Sequence, residues 1–186
     1  MKKWMMLFVS LLMVVFVSCS NNDSETTAPA GQQADTPKQD LSAQAARYND
    51  RLVVLQMRVS KKMRAFNISL SKRRAEPMNQ SLAELQAEIS AAADEMADIP
   101  GFEGDKSLRN AHLDLMEFME EICNAEFVTM VDYLTNPEGE TDDTEIDELE
   151  KRLKGEGQEL ENNLAKVQQD FAKKYNLKLT RSHTIF

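Results

Sequence analysis

The chain has 186 residues, a formal net charge of −9, and few glycines and prolines (six and five) beside abundant Leu, Ala, Glu, Lys and Met. The negative balance argues against nucleic acid as a partner, because phosphate binding needs clustered cations. The composition favours helices.

Residues 1–18 read as a targeting segment. Lys2 and Lys3 form a positive start, and Trp4 to Val17 is a 14-residue apolar run broken only by Ser10. A membrane-spanning helix needs roughly 20 such residues, so the run suits a signal-peptide core. The polar Ser20-Asn21-Asn22-Asp23 follows directly.

Phe16-Val17-Ser18-Cys19 resembles the lipobox of bacterial lipoproteins, with a small residue just before the cysteine. Phe16 departs from the usual Leu. The resemblance implies cleavage before Cys19, a diacylglyceryl group on its thiol and acylation of the new amino terminus. Each buried methylene of such chains adds about 0.8 kcal/mol of membrane affinity. The alternative is ordinary cleavage after Ser20, which gives a free chain. Ser20, standing where sorting signals of the enterobacterial kind place Asp for retention, implies the outer membrane.

Residues 19–40 then form the lipidated cysteine and a flexible tether. The stretch from Ser20 to Asp40 has no aromatic or branched aliphatic residue, too little apolar surface to offset its ordering entropy. About 21 flexible residues span roughly 25 Å. Loss of Lys2 and Lys3 takes the formal charge from −9 to −11. Cys123 is then the remaining thiol, so no disulfide can close within the mature chain.

Residues 41–176 carry four helical patterns, with apolar residues recurring at steps of three and four. The first helix is expected over Leu41 to Arg74, with the stripe Ala45, Tyr48, Leu52, Leu55, Val59, Met63, Phe66 and Leu70. Glu76-Pro77 is expected to end it, and Pro77 suits the first turn of a second helix. That helix carries Met78, Leu82, Leu85, Ile89, Ala92, Met96 and Ile99 up to the break at Pro100-Gly101. Asp105 can cap a third helix. Its two rows are Leu108, Ala111, Leu115, Phe118, Ile122, Ala125, Thr129 and His112, Met116, Met119, Cys123, Phe127, Met130, Leu134. A fourth follows Asn136-Pro137, with Ile146, Leu149, Leu153, Leu160, Leu164, Val167, Phe171 and Tyr175. Gly155 and Gly157 inside it mark a kink or a close approach to a neighbour. Residues 177–186 read as a tail. The expected fold is all-α, an antiparallel up-down four-helix bundle.

Chemistry-bearing patterns are sparse. His112, Met116, Met119 and Cys123 lie along one strip of the third helix, and imidazole, thioether and thiolate are ligands that copper(I) prefers. The competing reading is a core strip, since Met fills gaps and free Cys is commonly buried. The Glu-x-x-His pairs of a di-iron bundle are missing: Arg109 stands three before His112 and Thr180 three before His183. Neither a Cys-x-x-Cys-His haem site nor a nucleophile elbow is present. No catalytic residue and no cofactor are expected.

Charge is segregated. Nine Lys and Arg but one acid, Asp50, lie between Arg47 and Arg74; eleven acids and three bases lie between Glu138 and Glu161. One reading is a basic face for anionic headgroups or a partner. The favoured one is that the first and fourth helices are neighbours whose charges pair, since such pairs can specify which helices adjoin. Ser71-Lys72-Arg73-Arg74 is a weak polyanion patch, and cations there also suit the helix dipole.

The string from Tyr48 through Asn49 and Asp50 to Gln56, the Phe102 break and the Asp105-Lys106-Ser107-Leu108-Arg109 entry resemble a group of small helical surface lipoproteins of leptospires and related Gram-negative bacteria. The resemblance spans most of Leu41 to Tyr175 and brings no catalytic residue with it. Read from the residues alone, Asn49, Asp50 and Gln56 form a polar cluster at the bundle end, structural or ligand-contacting. The expected protein is a non-catalytic binding or structural module. It is held to the cell envelope through lipid at Cys19 and faces an envelope partner. A soft-metal protein is the alternative.

Overall fold

The computed structural model describes residues 17–19, 36–136 and 143–181. The leader before Val17, tether residues 20–35, the connection 137–142 and the end of the tail with His183 lie outside the described residues.

Helix α1 spans Thr36–Lys72. It starts five residues before the expected Leu41, and Pro37 sits in its first turn, where a missing N–H costs nothing. Thr36 to Asp40 are therefore helical rather than tether. Helix α1 stops at Arg73, whose left-handed φ of 49° lets its N–H donate to the Leu70 carbonyl at 3.2 Å. Arg74 is extended, and α2 runs over Ala75–Ala97. Pro77 is thus already inside the first turn of α2, and the break lies at the two arginines rather than at Glu76-Pro77. All seven predicted core positions of the second helix, Met78 to Ile99, are buried.

The α2–α3 connection is a tight turn. Glu103 and Gly104 both have positive φ, as in a mirror-image β-turn, and the Asp105 N–H donates to the Phe102 carbonyl at 2.9 Å. The N-cap of the next helix is Lys106 rather than Asp105; Asp105 stands one residue before it and its Oδ1 accepts the Ser107 N–H at 2.9 Å. Arg109 donates back to the Ile99 carbonyl at 2.9 Å and so closes the end of the second helix.

The third helix is broken where the sequence shows neither Gly nor Pro. Helix α3 covers Ser107–Asn124 and α4 covers Glu126–Thr135. Ala125 between them has φ −116° and ψ −78°. The break re-phases the buried face. Ala125 is exposed and Thr129 half-buried, while Phe127, Met130 and Val131 are buried. From α2, Gln86 donates to the Cys123 carbonyl at 2.9 Å and to Asn124 Oδ1 at 3.0 Å, bracing the break.

The fourth helix is α5 (Asp143–Arg152), a π-helical turn (Leu153–Gly157) and α6 (Gln158–Lys174). A π turn inserts one residue and shifts the helical phase. Past Tyr175, Asn176 is left-handed and the Leu177 N–H donates to the Ala172 carbonyl at 2.8 Å, a helix-ending arrangement of the Schellman kind. Leu177 packs on the core, and β2 (Leu179–Arg181) pairs antiparallel with β1 (Val17–Cys19).

The protein is all-α in its core: four helices pack against one another, first on second, second on third, third on fourth. Phe66 of α1 stacks on Phe127 of α4 at 5.1 Å between centroids. At the other end Tyr48, Phe102, Phe171 and Tyr175 form a ring cluster at 4.8–5.7 Å, bringing the first and fourth helices together.

The ion pairs differ from the expected arrangement. Arg58 binds Glu88 and Glu95 at 2.7 Å each, and Lys62 binds Glu84 at 2.9 Å, all on α2. Arg152 of the fourth helix pairs with Glu121 and Glu126 of the third. These charges join sequential neighbours, because sequential helices make the long contacts. Among the described residues the first and fourth helices meet through rings and amides.

Candidate functional site

Three features bring polar or reactive groups into the interior, and the first is the strip on α3. His112, Met116, Met119 and Cys123 are all buried, at 1%, 0%, 6% and 0% exposure. Burial lowers the His112 imidazole to about 4, so it is neutral, and neither ring nitrogen has a hydrogen-bond partner among the described residues. Burial, with the charges of Glu120 and Glu126 adding to it, pushes the Cys123 thiol up to about 12. A metal would have to displace that proton in an apolar interior, and thiolate is the form that binds. Among the described residues no three of His, Cys, Asp and Glu converge as a metal cluster. The strip therefore has the properties of core.

The second feature is a small cavity beside the π turn. It measures about 20 Å³ and lies among Met63, Leu115, Phe118, Met119, Gly157 and Glu161. That is room for about one water molecule. Of the α3 strip only Met119 borders it. Burial pushes the Glu161 carboxyl up to about 7. Glu161 is the one titratable group on the wall, and no nucleophile lines the space. Sequence reasoning missed Glu161 by counting it within an acidic run. The signal was its position four residues after Gly157, on the apolar side of the helix.

The third feature is the polar cluster near the aromatic end. Asn49 is fully buried, and Gln168 is buried at 5% exposure. Gln168 Nε2 donates to Asn49 Oδ1 at 2.8 Å. Gln56 is buried with its Nε2 lacking a described partner, as is the Tyr48 hydroxyl. Burial raises the Tyr48 pKa. Asn49 is thus a structural link from α1 to α6. Gln168 was not foreseen, because a glutamine beside Val167 on a charged helix reads as surface.

Cys19 ends β1, and its backbone pairs with Leu179. No known protein family, curated protein or solved structure matches the chain. Among the described residues no helix is long and apolar enough to cross a membrane.

Proposed function

We propose that the protein is a lipid-anchored, non-catalytic helical module of a bacterial cell envelope, held by acyl chains on Cys19 and built as an antiparallel up-down bundle. The observation that carries this reading is Phe16-Val17-Ser18-Cys19, placed directly after two lysines and a 14-residue apolar run. A run that short anchors poorly by itself, whereas several acyl chains on one residue hold a protein firmly. Cleavage before Cys19 removes Val17 and Ser18, and with them most of the pairing to Leu179–Arg181. Ser20 favours the outer membrane.

The non-catalytic half of the reading is supported by the character of the interior. His112 and Cys123 are buried in uncharged forms, and the cavity at Glu161 has room for about one water. A module of this kind works through its surface, by contact with an envelope component. The likeness to small helical surface lipoproteins points the same way.

Labelled palmitate fed to a bacterial host expressing the full chain tests the anchor. Label is expected on the wild-type protein and lost in Cys19→Ala. A wild-type protein without label, or a Cys19→Ala protein that keeps it, rules the anchor out.

A further inference from the structure

Helix α1 presents one largely exposed face, tied to α2 along one margin alone. At 100° per residue, Arg47, Arg51, Val54, Met57, Lys61, Ile68 and Lys72 fall within a sector of about 120°. Val54, Met57 and Ile68 are 55%, 44% and 53% exposed, three of the four large apolar residues standing out from the described surface. Arg47, Arg51, Lys61 and Lys72 are exposed too, and none has an ion-pair partner among the described residues. Arg58, inside the sector, and Lys62, at its edge, are tied to α2 acids, and Ser69 on the same margin is buried against Ser81 of α2. Asp50 is the one acid within the sector, and it is half-buried.

We propose that this face of α1 lies flat on an anionic lipid surface. The proposal rests on the lipid-anchor reading for the protein's proximity to a bilayer, and on the face itself for its orientation. The seven residues run about 38 Å along the helix, a strip rather than a spot. Cations with long aliphatic stems alternate with bare apolar side chains. Such a face puts its apolar groups at the boundary of headgroups and acyl chains while the charges stay among the phosphates. A folded protein partner would match the apolar residues with a pocket, and a polysaccharide would leave them in water. The rest of the chain strengthens the selection. The chain as a whole is negative, −9 and −11 without Lys2 and Lys3, so the cations of this face mark the side that suits an anionic surface.

The test uses the full chain purified from the host envelope and reconstituted with vesicles. Trp4, the one native tryptophan, is changed to Phe, and a reporter is placed by Met57→Trp or, as control, at exposed Glu159 by Glu159→Trp. Brominated lipid quenches only a tryptophan that reaches the acyl boundary. Quenching of Met57→Trp is expected in vesicles rich in phosphatidylglycerol and not in pure phosphatidylcholine. It should fall off in about 1 M salt, where the screening length is about 3 Å, and Glu159→Trp should stay unquenched. Adding Arg51→Glu with Lys61→Glu should abolish the signal in a protein whose thermal melt is unchanged.

Equal quenching in neutral and anionic vesicles, indifference to the charge reversals, or no quenching in a folded protein overturns the proposal. Contact of the same face with an anionic polysaccharide or a protein, in place of lipid, overturns it as well. The intact mass of the same sample reports the acyl group separately. An unacylated chain whose Met57→Trp is still quenched keeps the face and loses the anchor; an acylated chain without quenching does the reverse.

Discussion

Gly157 in the π turn and Phe118 on α3 approach so closely that a Cβ on the glycine would stand 3.0 Å from the ring edge. At Gly155, two residues earlier, a Cβ would meet nothing within 4 Å. The Phe118 ring in turn lies under the Arg152 guanidinium at 5.7 Å. One glycine is therefore required by packing and the other is not.

Alanine at the two positions should give opposite results. Gly155→Ala gains helix propensity and should stabilise by about 0.5–1 kcal/mol. Gly157→Ala forces the buried Phe118 to move and should destabilise by about 1–3 kcal/mol. Thermal or urea melts followed by circular dichroism decide it, and equal shifts for both variants would refute the close approach.

The Asn49–Gln168 bond should behave as a coupled pair. Asn49→Leu leaves the buried Gln168 amide without that acceptor and should cost about 1–3 kcal/mol. Gln168→Leu takes that donor away from the Asn49 carbonyl oxygen in the same way. The double variant should recover a large part of the loss, because both polar groups are then replaced together. Additive losses in the double-mutant cycle would show that the bond does not join the helices.

His112 predicts an acid-side loss of stability. Its pKa falls from 6.5 in the ordinary state to about 4 in the fold, so between those values the unfolded chain binds the extra proton. Stability on this account is full above pH 6.5 and declines as the pH drops toward 4, by up to about 3 kcal/mol. His112→Leu removes that dependence and the two orphaned nitrogens, and should be the more stable protein at pH 5.

Glu161 pulls the other way. Its folded pKa lies near 7 against an ordinary 4.5, so the unfolded chain loses its proton first. Stability contributed by this group is full below pH 4.5 and declines as the pH rises toward 7. The size is on the order of 1–2 kcal/mol, allowing for solvent at a half-buried site. Between pH 4.5 and 6.5 the two slopes oppose each other in the wild type. Glu161→Gln should therefore expose the His112 slope, and His112→Leu the Glu161 slope; a pH profile unchanged in both variants would show neither group to be buried as described.

Much of the fold could be read from apolar spacing. The stripe residues Leu52, Leu55, Leu82, Leu85, Leu115 and Leu164 are all buried, because a helix facing a core repeats at a fixed angle. The role of Asp105 at the helix start was legible in part: its short side chain accepts the Ser107 N–H, from one residue before the cap position. What periodicity could not show depends on contacts between helices. The break at Ala125 is held from outside by Gln86. Asn49 and Gln168 are interior and meet each other across the two helices. Glu161 is titrated by the walls around it rather than by its neighbours in the chain. The end of α1 near Arg74 was legible, but its cause is the left-handed Arg73 rather than Pro77.

Intact mass spectrometry of the protein extracted from bacterial envelopes tests the central claim most directly. The predicted result is a polypeptide beginning at Cys19 whose mass exceeds that of the bare chain by a diacylglyceryl group and an amide-linked acyl chain. A polypeptide that retains the leader, or one that begins after Ser20 with no lipid adduct, contradicts it.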